Sequence, residues 1–181
     1  MKIIKKVLII VAIIIAIPLI VALFVKKEYG IEREIKINKP KQIVFDYIKY
    51  LKNQACYSAW AMKDTNSKMT FKGTDGEVGF ISAWESKDKD VGVGEQEIIK
   101  IVNGERIDSK LRFKKPYEAE DDAYMTTISI DSTTTKVIWG FKGAFPYPMN
   151  IMGLFINMDK EVGGDLEKGL INLRNLLEKQ Q

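Results

Sequence analysis

An unbroken apolar run of 19 residues, Val7 to Val25 (VLIIVAIIIAIPLIVALFV), constrains this chain more than any other feature. As a helix rising about 1.5 Å per residue it reaches roughly 28 Å, close to the hydrocarbon core of a bilayer. Lys2, Lys5 and Lys6 stand before it, Lys26 and Lys27 after it. Lysines at both ends suit a spanning helix whose ammonium groups sit among headgroups. Pro18 fits, because proline is commoner in spanning helices than in soluble ones. The competing reading, a cleaved signal peptide, calls for an apolar core of about 7–15 residues and a small-x-small site. Leu23-Phe24-Val25-Lys26-Lys27 offers no such site. Residues 1–27 therefore read as an uncleaved single-pass anchor and 28–181 as one domain. Three lysines precede the span, whereas Glu28 offsets the two that come after it. The positive-inside bias then places the N-terminus in the cytoplasm and exports the domain.

The chain carries a net charge of +4. Setting aside the five flanking lysines leaves 23 basic against 24 acidic residues, so the domain itself is near neutral. A nucleic-acid partner would need a basic patch on the domain, and none is expected. Histidine is absent, which removes a His general base, Ser-His-Asp or Cys-His nucleophile systems, and most zinc and non-haem iron sites. No metal and no cofactor are expected. The single cysteine, Cys56, excludes an intramolecular disulfide and reads as a small buried apolar residue.

Ile31–Ile37 alternates as a half-buried strand, and Asn38 and Pro40 then suit a helix start. Ile43, Val44, Tyr47, Ile48 and Leu51 fall on one helical face. Residues 52–66 read as irregular or as a short second helix. Six strands are expected next, at Lys68–Lys72, Gly79–Ser86, Gly92–Val102, Glu105–Lys114, Asp122–Asp131 and Thr135–Gly143. Asn103-Gly104 is a hairpin signal that calls for φ > 0 at two positions, so the strands on either side of it should be antiparallel neighbours. The acidic run Glu118–Asp122 reads as a solvated turn. Alternation groups Ile107, Ser109, Leu111 and Phe113 on one face, Val137, Trp139 and Phe141 on one face, and Tyr124, Thr126, Ile128 and Ile130 on one face. The strand holding Ile98, Ile99, Ile101 and Val102 has apolar residues on both faces and resists assignment.

From Met149 or Asn150 to Lys179 a long helix is expected. Phe155, Met158, Val162, Leu166, Leu170, Leu173 and Leu177 step by three or four residues into one apolar stripe. Gly153, Gly163, Gly164 and Gly169 are costly there, by about 0.8–1 kcal/mol each relative to Ala. Either the helix bends at Gly163-Gly164 or it approaches the sheet so closely that a Cβ would clash. The architecture is α+β: a seven-stranded curved antiparallel sheet wrapped around a long C-terminal helix, plus the N-terminal transmembrane helix.

This order of elements, with the residues that fill it, resembles the START-like (SRPBCC) superfamily, which groups polyketide cyclases/dehydrases, lipid-transport proteins and birch-pollen allergens. The resemblance covers about residues 31–178. IEREIKINKPKQIVFDYI resembles the family's opening strand and helix. NQACYSAWAM resembles its Trp-rich segment, with Trp60 kept and Tyr57 in place of an earlier aromatic. VGFISAWES and GVGEQEIIKIVNGERI resemble two central strands and the hairpin joining the second onward. TTKVIWGFKGAFPYPMNIMGLF resembles the last strand and the start of the long helix, and EKGLINLRNLLE resembles its end. The resemblance implies the helix-grip fold; with residues 1–27 read as an anchor, the chain is expected to be a membrane-anchored member of the group. It implies a hydrophobic cavity between sheet and helix, which relatives use for lipids, sterols, polyketides, quinones or plant hormones. It does not imply catalysis.

Ten side chains are candidates for that cavity or its mouth: Trp60, Trp84, Tyr124, Trp139, Phe141, Phe145, Tyr147, Met152, Phe155 and Met158. Ordinary core packing is the competing reading for each. Phe145-Pro146-Tyr147-Pro148-Met149 reads as a lid or access loop, or as a contact of Phe145 and Tyr147 with lipid, or as a rigid loop seating the helix. Glu85, Glu95, Glu97, Arg106 and Arg112 are the strand residues able to act as acid, base or carboxylate clamp, and they equally suit a solvated outer face. No catalytic residue is assigned. The leading expectation is a membrane-anchored binding domain for a hydrophobic small molecule: a lipid, an isoprenoid or a polyketide-like compound. The alternatives are an interaction protein with a filled cavity that binds another membrane protein, and a cyclase/dehydrase-like enzyme. A reporter fused at Gln181 is expected to be active outside the cytoplasm; activity there of a reporter that works only in the cytoplasm would overturn this topology.

Overall fold

Apolar–polar alternation carries the chain through seven strands in a computed structural model that describes residues 2–179. They are β1 (Glu28–Ile37), β2 (Lys68–Lys72), β3 (Ile81–Glu85), β4 (Val93–Val102), β5 (Arg106–Lys115), β6 (Ala119–Ser129) and β7 (Thr135–Ala144). Met1, Gln180 and Gln181, at the outer ends of the two expected segments, lie outside the described residues, as does the side chain of Lys2. The strands form one antiparallel sheet in the order β1-β7-β6-β5-β4-β3-β2. β2 to β7 are a meander, and β1 closes the far edge against β7 from Glu28↔Ala144 to Ile37↔Thr135. The helices are α1 (Lys2–Phe24), α2 (Lys41–Ile48), α3 (Ala59–Lys63) and α4 (Met158–Lys179), with 3₁₀ turns at Leu51–Cys56 and Met149–Leu154.

Helix α1 holds the apolar run, stands clear of the domain for most of its length and is long and apolar enough to cross a membrane. By length and composition it fits an anchor or a signal sequence. Helix α4 lies across the inner face of the sheet over β1 and β7. Its stripe Leu166, Leu170, Leu173 and Leu177 is fully buried against Ile31, Ile37, Val137 and Trp139. Gly163 and Gly169 explain how close it comes. A Cβ on Gly169 would meet the Trp139 ring at 2.7 Å, and one on Gly163 would strike the Arg33 guanidinium. Of the two readings of the glycines, close approach applies at these positions, and α4 runs unbroken through Gly163-Gly164. Arg33 on β1 grips the start of α4, donating to both carboxylate oxygens of Asp159 at 2.9 and 3.0 Å and to its carbonyl at 3.1 Å.

Several local expectations need correction. The C-terminal helix begins at Met158, not Met149 or Asn150: the Asn157 side chain accepts from the Lys160 N–H at 3.1 Å and caps it. Phe155 is consequently outside the stripe and 81% exposed. Phe45, not Ile43, joins Val44 and Ile48 in the core face of α2. The Asn103-Gly104 hairpin forms, but Gly104 alone is left-handed (φ 72°), and the Glu105 N–H closes the turn on the Val102 carbonyl at 2.9 Å. A register shift between Ile98 and Lys100 explains why β4 has apolar residues on both faces, since a bulge flips the alternation. Cys56 is exposed.

The acidic run also departs from expectation, because β6 begins within it, at Ala119. Glu120 and Asp122 point outward to Arg112 and Lys110, while Asp121 points inward and is buried.

The two glycine environments make a test. Gly169→Ala is expected to destabilise by about 1–3 kcal/mol through overpacking against Trp139. Gly164→Ala, with nothing within 4 Å of the added Cβ, should stabilise by up to about 1 kcal/mol. Chemical denaturation of both variants checks the opposite signs.

Candidate functional site: a cavity under half of the sheet

Because α4 covers β1 and β7, the inner face of β2 to β5 needs another cover. The Leu51–Cys56 turn and α3 supply it. Asp75 accepts from the backbone N–H groups of Leu51 and Lys52 at 2.8 and 3.2 Å and seats the turn. Lys63 donates to Asp165 at 2.7 Å and ties α3 to α4. Beneath this roof a cavity of about 480 Å³ remains, within the usual range for small-molecule sites, about 300–1,000 Å³.

Its walls are mostly apolar. Met69, Phe71, Trp84, Leu111 and Phe113 come from the strands, Trp60 from the roof, Trp139 and Phe141 from β7, and Val162 and Leu166 from α4. Trp84 and Phe113 meet edge to face at 6.0 Å, as do Trp60 and Trp139 at 6.1 Å. Ser58, Ser82 and Gln96 add polar points inside. The ionisable lining groups gather on the roof and at the mouth: Lys52, Asp64, Lys89, Asp90, Lys115 and Tyr117. Lys52 lies over the rings of Phe71 and Phe80. Asp64 is held below the usual carboxylate range by hydrogen bonds, first from Ser86, then from the Asn66 N–H and Ser67. The loops after β3 and after β5 form one rim of the cavity, and the Trp84 indole N–H donates to the Val91 carbonyl in the first of these at 3.1 Å. In this sheet the ends of β3, β5 and β7 and the starts of β4, β6 and β1 lie at one end. One rim of the cavity therefore lies at the end of the sheet from which α1 leaves.

Of the ten candidates, Trp60, Trp84, Trp139 and Phe141 line the cavity. The other six do not. Tyr124 stands on the opposite face of the sheet, where its ring lies over Gly140 and under the Arg106 guanidinium and its hydroxyl donates to Glu32. Phe145 packs on Tyr29 at 5.2 Å. Tyr147 reaches α1, where its hydroxyl donates to the Leu19 carbonyl at 3.4 Å. Met152 and Phe155 precede α4 and lie away from the cavity, and Met158 packs against the core instead. The Pro146–Pro148 loop is accordingly not the mouth. Glu95, Glu97, Arg106 and Arg112 lie on the outer face, where Arg112 pairs with Glu95 at 3.2 Å and with Glu97 at 2.7 Å. Glu85 pairs in register with Val93 and Lys68, at the end of β3.

Sequence reasoning missed Met69, Phe71, Leu111 and Phe113 as cavity residues. Their alternation was a usable signal, since Leu111 and Phe113 share a face with buried Ile107. Gln96 and Ser82 had no such signal. Asp121 was missed as well. It is buried beside Phe141, accepts from the Tyr29 hydroxyl at 3.2 Å and leaves no room for a side chain at Gly143. Burial pushes its carboxyl from 3.8 up to about 6, against the hydrogen bond from Tyr29, which lowers it. Burial and the neighbouring Asp121 charge in turn hold the Tyr29 phenol well above its ordinary range.

No protein-family model matches the chain, and no curated protein matches it. Solved structures do. Norcoclaurine synthase from Thalictrum flavum, in complex with dopamine and hydroxybenzaldehyde, superposes with a TM-score of 0.63 at 10% identity, over 85% of this chain and 88% of the synthase. An uncharacterised protein from Rhizobium leguminosarum gives 0.59 at 15% identity, over 85% and 97%. A protein from Mesorhizobium loti gives 0.58 at 13% identity, over 84% and 99%. At such identities the likeness shows the fold alone: a helix-grip, with a seven-stranded antiparallel sheet and a long C-terminal helix packed on it.

The Asp121 environment predicts a pH dependence. The native protein keeps the Asp121 proton up to about 6, whereas the unfolded chain releases it near 3.8. The folded state thus binds more protons across that interval, and its stability falls as pH rises through it. Asp121→Asn is expected to remove this part of the slope and to gain on the wild type above about pH 6. Denaturation curves across the interval check it.

Proposed function

We propose that this domain binds a hydrophobic small molecule in the cavity under β2 to β5, and that α1 anchors it in a membrane with the mouth beside the bilayer. The observation that carries the reading is the apolar cavity of about 480 Å³, one rim of which lies at the end of the sheet where α1 leaves. The ligand is of lipid, isoprenoid or polyketide-like type. Desolvation against Phe71, Trp84, Leu111, Phe113 and Phe141 drives binding, and Ser82 and Gln96 orient one polar group. The helix-grip fold, which typically takes hydrophobic ligands, supports this reading. A filled interior would favour an interaction protein, and a cavity above about 300 Å³ speaks against that. An ionisable group deep in the cavity would favour an enzyme. Asp121 has the shifted carboxyl such a role calls for, but it does not line the space.

Anchoring serves this mechanism through effective concentration, since a ligand dissolved in the bilayer is held near the mouth. With three lysines before the span, the proposed topology leaves the N-terminus in the cytoplasm and exports the domain.

Native mass spectrometry of the full chain, released from detergent, is expected to show a reproducible added mass that extraction identifies. Ser82→Phe places a ring in the cavity and should weaken retention about tenfold or more, roughly 1.4 kcal/mol. The paired variant separates cavity ligand from lipid adhering to α1. A wild type that is empty and takes up no lipid, quinone or fatty acid, or a variant that retains ligand equally, would overturn the reading.

A further inference from the structure

The segment between β7 and α4 lacks charge. From Gly143 to Met158, sixteen residues contain no Asp, Glu, Lys or Arg, in a chain of which 29% is charged. Lys142 and Asp159 bound it. Several of its apolar side chains face outward, Met149, Leu154 and Phe155 among them, and Phe155 is 81% exposed. A loop of this composition is unusual on a water-facing surface.

The segment is also joined to α1. Asn150 is fully buried, and its Nδ2 donates to the carbonyls of Ala22 at 2.6 Å and Val25 at 2.8 Å. The first lies in the last turn of α1 and the second just past its end, where carbonyls lack intrahelical partners. In hydrocarbon an unmet carbonyl costs several kcal/mol, so such a cap matters most there. Tyr147 reaches further back, to the Leu19 carbonyl. Leu19 stands six residues before Val25, which is roughly 9 Å along the helix from the end of the apolar run. A side chain that touches α1 at that level lies below the surface of whatever medium surrounds the span. Interfacial elements bury their apolar faces about 5–10 Å into the headgroup–acyl boundary.

We infer that residues 145–156 form a second membrane element, seated in the interface of the bilayer that α1 crosses, with Met149, Leu154 and Phe155 facing lipid. The inference rests on the reading of α1 as an anchor. Its occupant is the lipid bilayer. Phe24, at the last turn of α1, is also exposed, at 85%. The two elements together fix the orientation of the domain, since one axis alone would leave it free to rotate.

The test uses the full chain in vesicles of phosphatidylcholine and phosphatidylglycerol. In a Cys56→Ser background, single cysteines replace Ile13, Phe155 or Ser132 and carry an environment-sensitive fluorophore. Nitroxide-bearing lipids are the quencher. Ile13 reports on α1. Ser132 lies in the β6–β7 turn, roughly 33 Å of strand from the segment. Quenching at Ile13 and Phe155, with none at Ser132, is expected. Quenching at Ile13 alone would overturn this inference and leave the anchor standing. No quenching at Ile13 would overturn both. A Phe155 probe that is shielded from water yet unquenched would mean a protein occupant, and equal quenching at Ser132 and Phe155 would mean nonspecific adsorption; each would overturn it too.

Discussion

The seating of α4 on β1 and β7 governs the rest of the domain. Four leucines on one stripe provide the burial, worth about 1.5–3 kcal/mol for each side chain. Leucines alone would hold the helix at an ordinary distance from the sheet. Gly163 and Gly169 let it come closer, and the Arg33–Asp159 fork fixes its start. The result is asymmetric. Half of the inner face is packed solid, and the other half lies beyond the reach of the helix. The short turn and α3 bridge that gap without filling it, and the cavity is the space left over.

The outer face obeys a different logic. Its charges are arranged in cross-strand pairs, such as Lys110 with Asp122 and Arg112 with Glu95 and Glu97. Solvated pairs of this kind contribute little each, about 0–1 kcal/mol. Their arrangement instead sets opposite charges against one another across the β4–β5 and β5–β6 ladders. It also accounts for an acidic run being able to enter a strand: two of its carboxylates meet cations outside, and the third turns inward to Tyr29. That third group, Asp121, is the one ionisable side chain among these whose environment opposes its charge strongly.

Much of this was legible in the chain because period-two and period-3.6 patterns survive wherever one face is buried. The strands β2 to β7 were located within three residues at each end, and the Leu166–Leu177 stripe named the face of α4. Legibility failed where contacts are decided by partners distant in sequence. Phe155 continues the helical spacing, yet Asn157 stops the helix first. Tyr124 is aromatic and buried, yet a glycine across the ladder, Gly140, makes its niche on the outer face. Asp121 looks like part of a solvated run until Tyr29, 92 residues earlier, is placed beside it. The cavity was expected between sheet and helix, and Trp139, Phe141, Val162 and Leu166 do line it. Its displacement toward β2 to β5 depends on how far α4 reaches, which no local pattern encodes.

Only Val25, Lys26 and Lys27 separate α1 from β1. Three residues span at most about 10 Å even when fully extended, and Asn150 binds the first of them to the domain. The protein therefore has a short, pinned neck instead of a leash. A domain on a long tether can sweep a wide volume and ferry cargo between surfaces. With α1 anchored and a ligand bound as proposed, this one would do neither: its working radius would be about its own size, and cargo would have to be delivered and collected at a fixed spot. If it takes part in transport, it does so as a station on the route and not as the vehicle.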